Sequence, residues 1–197
     1  MSISAAQVKE LRDRTGAGIL ECRKALEESG GDLEAAVDIL RARGAAKAAT
    51  RAGRQTHEGL IGQYVHMNGR IGVLVEVNCE TDFVARTDDF QELVRNLAMH
   101  IAATNPLAVS AEDLPEDVVE REKAVFLEQT KNEGRPEHLW DRIVEGKMKR
   151  FYQDNTLLDQ AYIRDTDKTV GELIAEISAK TGENIVVRRF ARFELGE

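Results

Sequence analysis

Residues 76–86 read E-V-N-C-E-T-D-F-V-A-R, and the fold turns on where this stretch sits. It closes a run of alternating apolar residues and precedes a strongly periodic one, which places it at a strand-to-helix junction. Val73, Val75 and Val77 share one strand face, while Leu74, Glu76 and Asn78 point the other way. Downstream, Phe90, Leu93, Val94, Leu97, Ala98 and Ile101 fall on one stripe of a helix that runs to about residue 103. Between strand and helix stand Asp82 and Phe83, an acid and a large aromatic in a connection. Connections lie at the surface, so Phe83 needs cover: either the protein's own core supplies it, or a partner does.

Upstream, Leu60-Ile61-Gly62-Gln63-Tyr64-Val65-His66 and residues 71–77 flank Met67-Asn68-Gly69-Arg70. Asn-Gly between two apolar-rich runs predicts a β-hairpin. Residues 185–193, I-V-V-R-R-F-A-R-F, have the β-branched and aromatic content of a strand that completes the same sheet.

The first 45 residues read as a compact three-helix unit. Ser4 with Gln7 has the pattern of a capping box, and Ile3 with Val8 the spacing of a hydrophobic staple. The first helix ends before Thr15-Gly16-Ala17-Gly18. A second carries Ile19, Cys22 and Leu26 at helical spacing and ends at Gly30-Gly31. Asp32 caps a third, with Leu33, Ala36, Val37 and Leu40 inward and Gly44 beyond its end. Residues 46–58 are small, polar and basic, either a continuation of that helix or a linker, and residues 59–197 form the core.

Within that core, Asn105-Pro106 breaks the long helix, and Ser110 with Asp113 has a capping pattern. A charged helix is predicted from about residue 115 to 132 and another around 137–151, joined by a short turn as antiparallel neighbours are. Residues 157–164 read as extended or irregular. Thr169 then caps a helix with Val170, Leu173, Ile174 and Ile177 on one face, ended at Gly182.

At 42% hydrophobic and 31% charged, the chain suits one or two soluble domains with a real core. A net charge of −8 opposes the phosphate neutralisation on which nucleic-acid binding depends. Arg188, Arg189 and Arg192, with Phe190 and Phe193 beside them, are therefore expected to be solvated or paired. No basic-then-apolar leader and no membrane-length apolar run is visible, which points to a cytoplasmic protein without a membrane partner. Cys22 and Cys79 are too few for a disulfide scaffold and are expected to pack as small hydrophobes. His57, His66, His100 and His138 show no metal-ligand spacing; His66 is expected to be exposed before the hairpin turn and His100 to be structural. The glycines at 16 and 18 lack the lysine and the preceding strand of a phosphate loop. No nucleophile, base and orienting group assemble, so the expectation is a binding protein with no metal, cofactor or catalytic chemistry.

A second string joins the first: Leu11-Arg12, then Thr15-Gly16-Ala17-Gly18-Ile19, then Arg23-Lys24-Ala25-Leu26. With E-V-N-C-E-T-D-F-V-A-R it resembles bacterial elongation factor Ts, the exchange factor of the translation GTPase elongation factor Tu, and the resemblance runs from Gln7 to Gly196. It implies an α+β fold: a ubiquitin-associated-like three-helix bundle, then a small antiparallel sheet packed with helices. It also implies an activity without a bound cofactor, the release of GDP from elongation factor Tu, met both GDP-bound and nucleotide-free. In that reading Thr81, Asp82, Phe83 and Val84 form the motif that disturbs the partner's magnesium and phosphate site. Phe83 supplies bulk and Asp82 hydrogen-bond acceptors, while Thr81 and Val84 shape the loop. Arg12, Thr15, Gly16, Ala17, Gly18 and Ile19 dock on the GTPase, and His66 makes a further contact. Longer members carry a core of two related halves, whereas this chain has room for one. A three-stranded sheet with exposed edges then calls for a second copy, so a homodimer is expected. Some short relatives carry a cysteine in the terminal segment, but Ala191 stands in that run here, so the pairing is expected to be non-covalent.

Overall fold

A computed structural model describes residues 3–197. In order, the chain forms α1 (Ala5–Thr15), α2 (Ile19–Glu28), α3 (Leu33–Arg51), β1 (Glu58–His66), β2 (Ile71–Cys79), α4 (Asp82–Ala85) and α5 (Asp88–Thr104). It continues through α6 (Glu116–Asn132), α7 (Trp140–Asn155), β3 (Ala161–Tyr162), β4 (Asp165–Thr169), α8 (Val170–Thr181) and β5 (Val186–Glu194). The class is α+β, as expected. The sheet is antiparallel with order β1-β2-β5, so the terminal strand does complete the sheet begun by the hairpin. Met67, Asn68 and Gly69 all take positive φ in the hairpin turn, a requirement that the Asn-Gly pair meets at low cost.

The described residues group into two compact units. The first holds the residues up to 62 together with 76–95 and 172–187. Its N-terminal helices close on a small core of Leu11, Cys22, Ala25, Leu26 and Ala36. Ser4 and Gln7 make the predicted capping box, and the Asp32 carboxylate accepts the Ala35 N–H at 3.0 Å. Ion pairs from Lys47 to Glu21 and from Arg43 to Glu28 carry α3 back along α2.

One expectation for α3 needs correction: Gly44 does not lie beyond its end. The helix runs through it to Arg51, because Ala45, Ala46, Ala48 and Ala49 are strong helix formers that absorb the cost of about 1 kcal/mol for one interior glycine. A Cβ at position 44 would meet the Cβ of Ala179 at 3.4 Å, an ordinary van der Waals contact with α8. Half of the segment read as helix or linker is thus helical, and β1 begins at Glu58.

β2 alternates as predicted, with Val73, Val75, Val77 and Cys79 buried and Leu74 exposed. All six residues of the α5 stripe are buried too. Each large side chain removed from water in this stripe and strand contributes roughly 1.5–3 kcal/mol. Burial makes both cysteines poor nucleophiles. The Cys79 thiol is pushed up to about 11, first by desolvation and then by the nearby Glu183 charge.

The second unit holds residues 63–75, 96–171 and 188–197. Here α6 and α7 pack together across a turn at Gly134, whose φ of +68° suits glycine. Lys147 bonds Glu133 at 2.9 Å, and Lys131 sits 5.6 Å from the Trp140 ring centre. β3 and β4 form a short hairpin (Ala161 opposite Thr169, Tyr162 opposite Asp165) that the sequence does not announce. Two residues carry no periodicity, and D-T-D-K-T has no apolar alternation to read. Fully buried His100 fastens this segment: its Nε2 lies 2.9 Å from Gln160 Oε1, and its Nδ1 accepts the Ile163 N–H at 3.4 Å. That pair of contacts fits one neutral tautomer, and burial lowers the imidazole pKa in the same sense. The histidine is structural, as its place beside the α5 stripe suggested.

Candidate functional site

β2 delivers the loop. Its last residue, Cys79, is buried, and the chain then turns at Thr81, whose extended backbone caps the single turn α4. The Thr81 hydroxyl oxygen accepts the Val84 N–H at 3.4 Å. Val84 and Ala85 point inward at 8% and 5% exposure, whereas Phe83 stands 78% exposed. The protein's own core therefore does not cover Phe83. Asp82 pairs with Arg86 at 2.8 Å, one turn on and at the surface. Exposed pairs of this kind contribute about 0–1 kcal/mol, so the carboxylate can exchange this partner for another at little cost.

Sequence reasoning missed the residues that hold this loop. Glu183 follows α8, and its Oε2 accepts the N–H groups of Glu80 and Thr81, each at 3.1 Å. Its Oε1 accepts the Thr81 hydroxyl at 2.6 Å. The favour is returned: the Glu80 carboxylate accepts the Asn184 N–H at 2.6 Å and meets Arg54 at 3.3 Å. The Asn184 backbone donor, followed by Arg54, holds the Glu80 carboxyl below its ordinary pKa. Asn184 in turn donates its amide to the Arg54 carbonyl at 3.1 Å. A signal for Glu183 did exist. Helix C-termini favour cations, so an acid directly after Gly182 breaks a local rule and asks for a tertiary partner.

The other predicted residues fall in two places. Gly16 closes α1 in the left-handed region (φ +66°), with its N–H on the Arg12 carbonyl at 2.7 Å. Thr15 is half-buried and donates its hydroxyl to the Leu11 carbonyl at 2.7 Å, which holds the turn. Arg12 and Gly18 are exposed, Ala17 packs against the bundle core, and Gly18 opens α2. Ile19 shares helical spacing with Cys22 and Leu26 but is 59% exposed, because it begins the helix and overhangs the core. Leu20, which the sequence reading passed over, is 75% exposed; it lies off the Cys22–Leu26 stripe, and that alone could have flagged it. Lys180 of α8 joins this turn to the start of α5. Its methylenes lie about 3.1 Å from where a Gly16 Cβ would stand, and its ammonium bonds Asp89 at 2.6 Å. His66 belongs to the second unit, exposed as expected, with the Tyr64 hydroxyl 2.8 Å from its Nδ1.

Of the terminal arginines, Arg188 and Arg189 are exposed and Arg192 is paired. The Arg192 side chain is only 8% exposed, pairs with Glu194 at 2.5 Å and donates to the Ala102 carbonyl at 3.4 Å. Among the described residues no group of three metal-ligating side chains converges, and no helix is long and apolar enough to cross a membrane.

A family model described as Elongation factor TS matches residues 47–197. Among curated proteins, the Elongation factor Ts of Syntrophobacter fumaroxidans is 53% identical over 196 residues, covering 100% of this chain and 98% of the relative. That of Thermoanaerobacter pseudethanolicus is 58% identical over 195 residues, covering 99% and 96%. That of Fervidobacterium nodosum is 56% identical over 197 residues and covers both chains fully.

Proposed function

The chain belongs to the elongation factor Ts family of translation elongation factors, and from that premise we propose that it releases GDP from elongation factor Tu so that GTP can bind. It does so by binding, with no catalytic chemistry of its own. A protein that holds the nucleotide-free GTPase more tightly than the loaded one must weaken nucleotide affinity by the same factor. The observation that carries this reading is Phe83, exposed on a turn whose next two residues are buried. Burying such a side chain in a partner is worth roughly 1.5–3 kcal/mol, and each 1.4 kcal/mol of coupling is about tenfold in affinity. The partner's GDP site depends on magnesium and on loops that cradle the phosphates. An apolar wedge among those loops degrades several contacts together, while Asp82 accepts hydrogen bonds that keep the wedge in register.

The N-terminal helices, residues 1–45, serve as the docking unit in this proposal, with residues 46–58 leading from them to the core at 59–197. Arg12 and the turn from Thr15 to Gly18 form the polar part of that surface. Ile19 supplies apolar area, and exposed Leu20 adds to it. His66 makes a contact from the second unit. The reading is tested by mixing: sub-stoichiometric protein should speed release of a fluorescent GDP analogue from elongation factor Tu while binding no guanine nucleotide when alone. No acceleration at micromolar concentration would remove it.

The proposal extends to a two-fold homodimer in the cytoplasm. β1 is an edge strand on which Leu60, Ile61 and Val65 are exposed, and Phe193 near the end of β5 is 70% exposed. Edges with apolar side chains are covered in stable proteins, and a second copy is the simplest cover. Sedimentation at low micromolar concentration in reducing agent should give about twice the chain mass. A value near 21.9 kDa would dismiss the dimer.

A further inference from the structure

We propose that Glu183 is a positioning residue for nucleotide release: it sets the Phe83 turn through the Thr81 hydroxyl and, with Glu80 as its reciprocal, ties that turn to the segment that follows α3. The proposal rests on the exchange reading above and deepens it.

A wedge is effective only if it is stiff, because a mobile Phe83 would yield to the partner's loops instead of moving them. Four residues of helix cannot supply that stiffness. One short turn has too few backbone hydrogen bonds to hold itself, so its geometry must come from outside. The structure shows where from. The Thr81 hydroxyl has a single proton, and Glu183 Oε1 takes it at 2.6 Å. A hydroxyl fixed in this way presents its lone pair to the Val84 N–H, and that contact starts α4. Glu183 Oε2 meanwhile holds the N–H groups of Glu80 and Thr81, so a single carboxylate fixes two consecutive peptide units and one side chain. Hydrogen bonds to an ionised acceptor are roughly twice as strong as neutral ones.

Glu183 is itself held firmly. Gly182 takes a φ of +80° and bonds the Ser178 carbonyl at 2.9 Å, which ends α8 and turns the chain. The Ser178 hydroxyl then donates to the Glu183 carbonyl at 2.5 Å. On the other side, Glu80 grips Asn184 and Arg54, and Asn184 grips the Arg54 carbonyl. Arg51, the last residue of α3, donates to the Ser178 carbonyl at 3.0 Å. Two neighbouring acids, Glu80 and Glu183, thus lock the loop, the α8–β5 connection and the end of α3 into one hydrogen-bonded node. Force applied where the N-terminal helices dock reaches the wedge through this node rather than through a flexible tether.

The test separates positioning from docking and from folding. Hydrogen exchange in the free protein is read at the Glu80 and Thr81 amides. Nucleotide release from elongation factor Tu is read as a maximal rate and a half-saturating concentration. Glu183→Ala should raise amide exchange at both positions by tenfold or more. It should also lower the maximal release rate about tenfold while the half-saturating concentration moves less than twofold, since no docking residue is touched. Glu183→Gln, which keeps the shape and one acceptor oxygen, should fall between the two; it carries the test alone if the alanine variant does not fold. Wild-type amide protection in the variants, or a loss of rate matched by an equal loss of docking and of melting temperature, overturns the proposal. Should the unmodified protein fail to release nucleotide at all, the exchange reading falls; the amide protection still decides whether the latch exists.

Discussion

Phe83→Ala should slow nucleotide release about tenfold or more and leave the melting temperature almost unchanged. The first half follows from the coupling argument: removing the wedge forfeits roughly 1.4 kcal/mol or more of the difference between loaded and empty partner. The second half follows from exposure. A side chain 78% in solvent makes few native contacts, and surface substitutions away from special features usually stay within about 0.5 kcal/mol. Phe90 supplies the control from seven residues further on. It is fully buried on the α5 stripe, and Phe90→Ala should cost about 3–5 kcal/mol of stability by leaving a cavity. Calorimetry and release kinetics on the two variants give opposite patterns under this account. If Phe83→Ala melted as early as Phe90→Ala and released nucleotide normally while folded, the exposed wedge would be refuted.

The contrast between these two phenylalanines also shows what was legible in the sequence. Phe90 belongs to a repeating stripe, and periodicity is a local property that a reader can count. Phe83 breaks the pattern, and a break leaves two explanations standing until the burial is known. The hairpin was legible for a similar reason: Asn68-Gly69 answers a demand for positive φ that few other residues meet. Glu183 was much harder. Two of its three donors are backbone N–H groups, 103 and 102 positions earlier, and backbone donors have no residue type to recognise. Only the oddity of an acid at a helix C-terminus hinted at it.

Gly44 shows the opposite error. A glycine near the end of an apolar stripe reads as a terminator, yet four alanines keep the helix going to Arg51. Whether a glycine stops a helix depends on the residues that follow it as much as on the glycine itself. The β3–β4 hairpin lies beyond local reading altogether. Its residues are fixed by His100 and Gln160, contacts between α5 and a stretch with no pattern of its own.

Gly59→Ala is expected to be strongly destabilising, and no local rule marks the position. Gly59 lies in β1 with φ +146°, a backbone conformation that L side chains rarely adopt. A Cβ there would press into the Val77 carbonyl oxygen and stand 2.8 Å from Asn78 Cα. Both obstacles are backbone, so no flexible side chain can swing aside. Strain at such a φ costs about 1–3 kcal/mol and overpacking about 1–3 more, so the expected loss is roughly 2–6 kcal/mol. For a chain of this size that is a fall of about 5 °C or more in Tm. Gly72→Ala in β2 is the matched control. That residue has no positive φ and nothing within 4 Å of its would-be Cβ, so alanine should be neutral or stabilise by about 0.4–1 kcal/mol. The position matters for function as well, because Val77 and Asn78 lead through Cys79, the end of β2, to Glu80 and Thr81. Parting β1 from β2 there moves the strand that carries the Phe83 turn. At a temperature where Gly59→Ala is still folded, its release rate should therefore drop along with its stability, while Gly72→Ala keeps both. Equal melting of the two variants would mean that β1 tolerates the methyl, and that the close approach at Gly59 does not constrain the sheet.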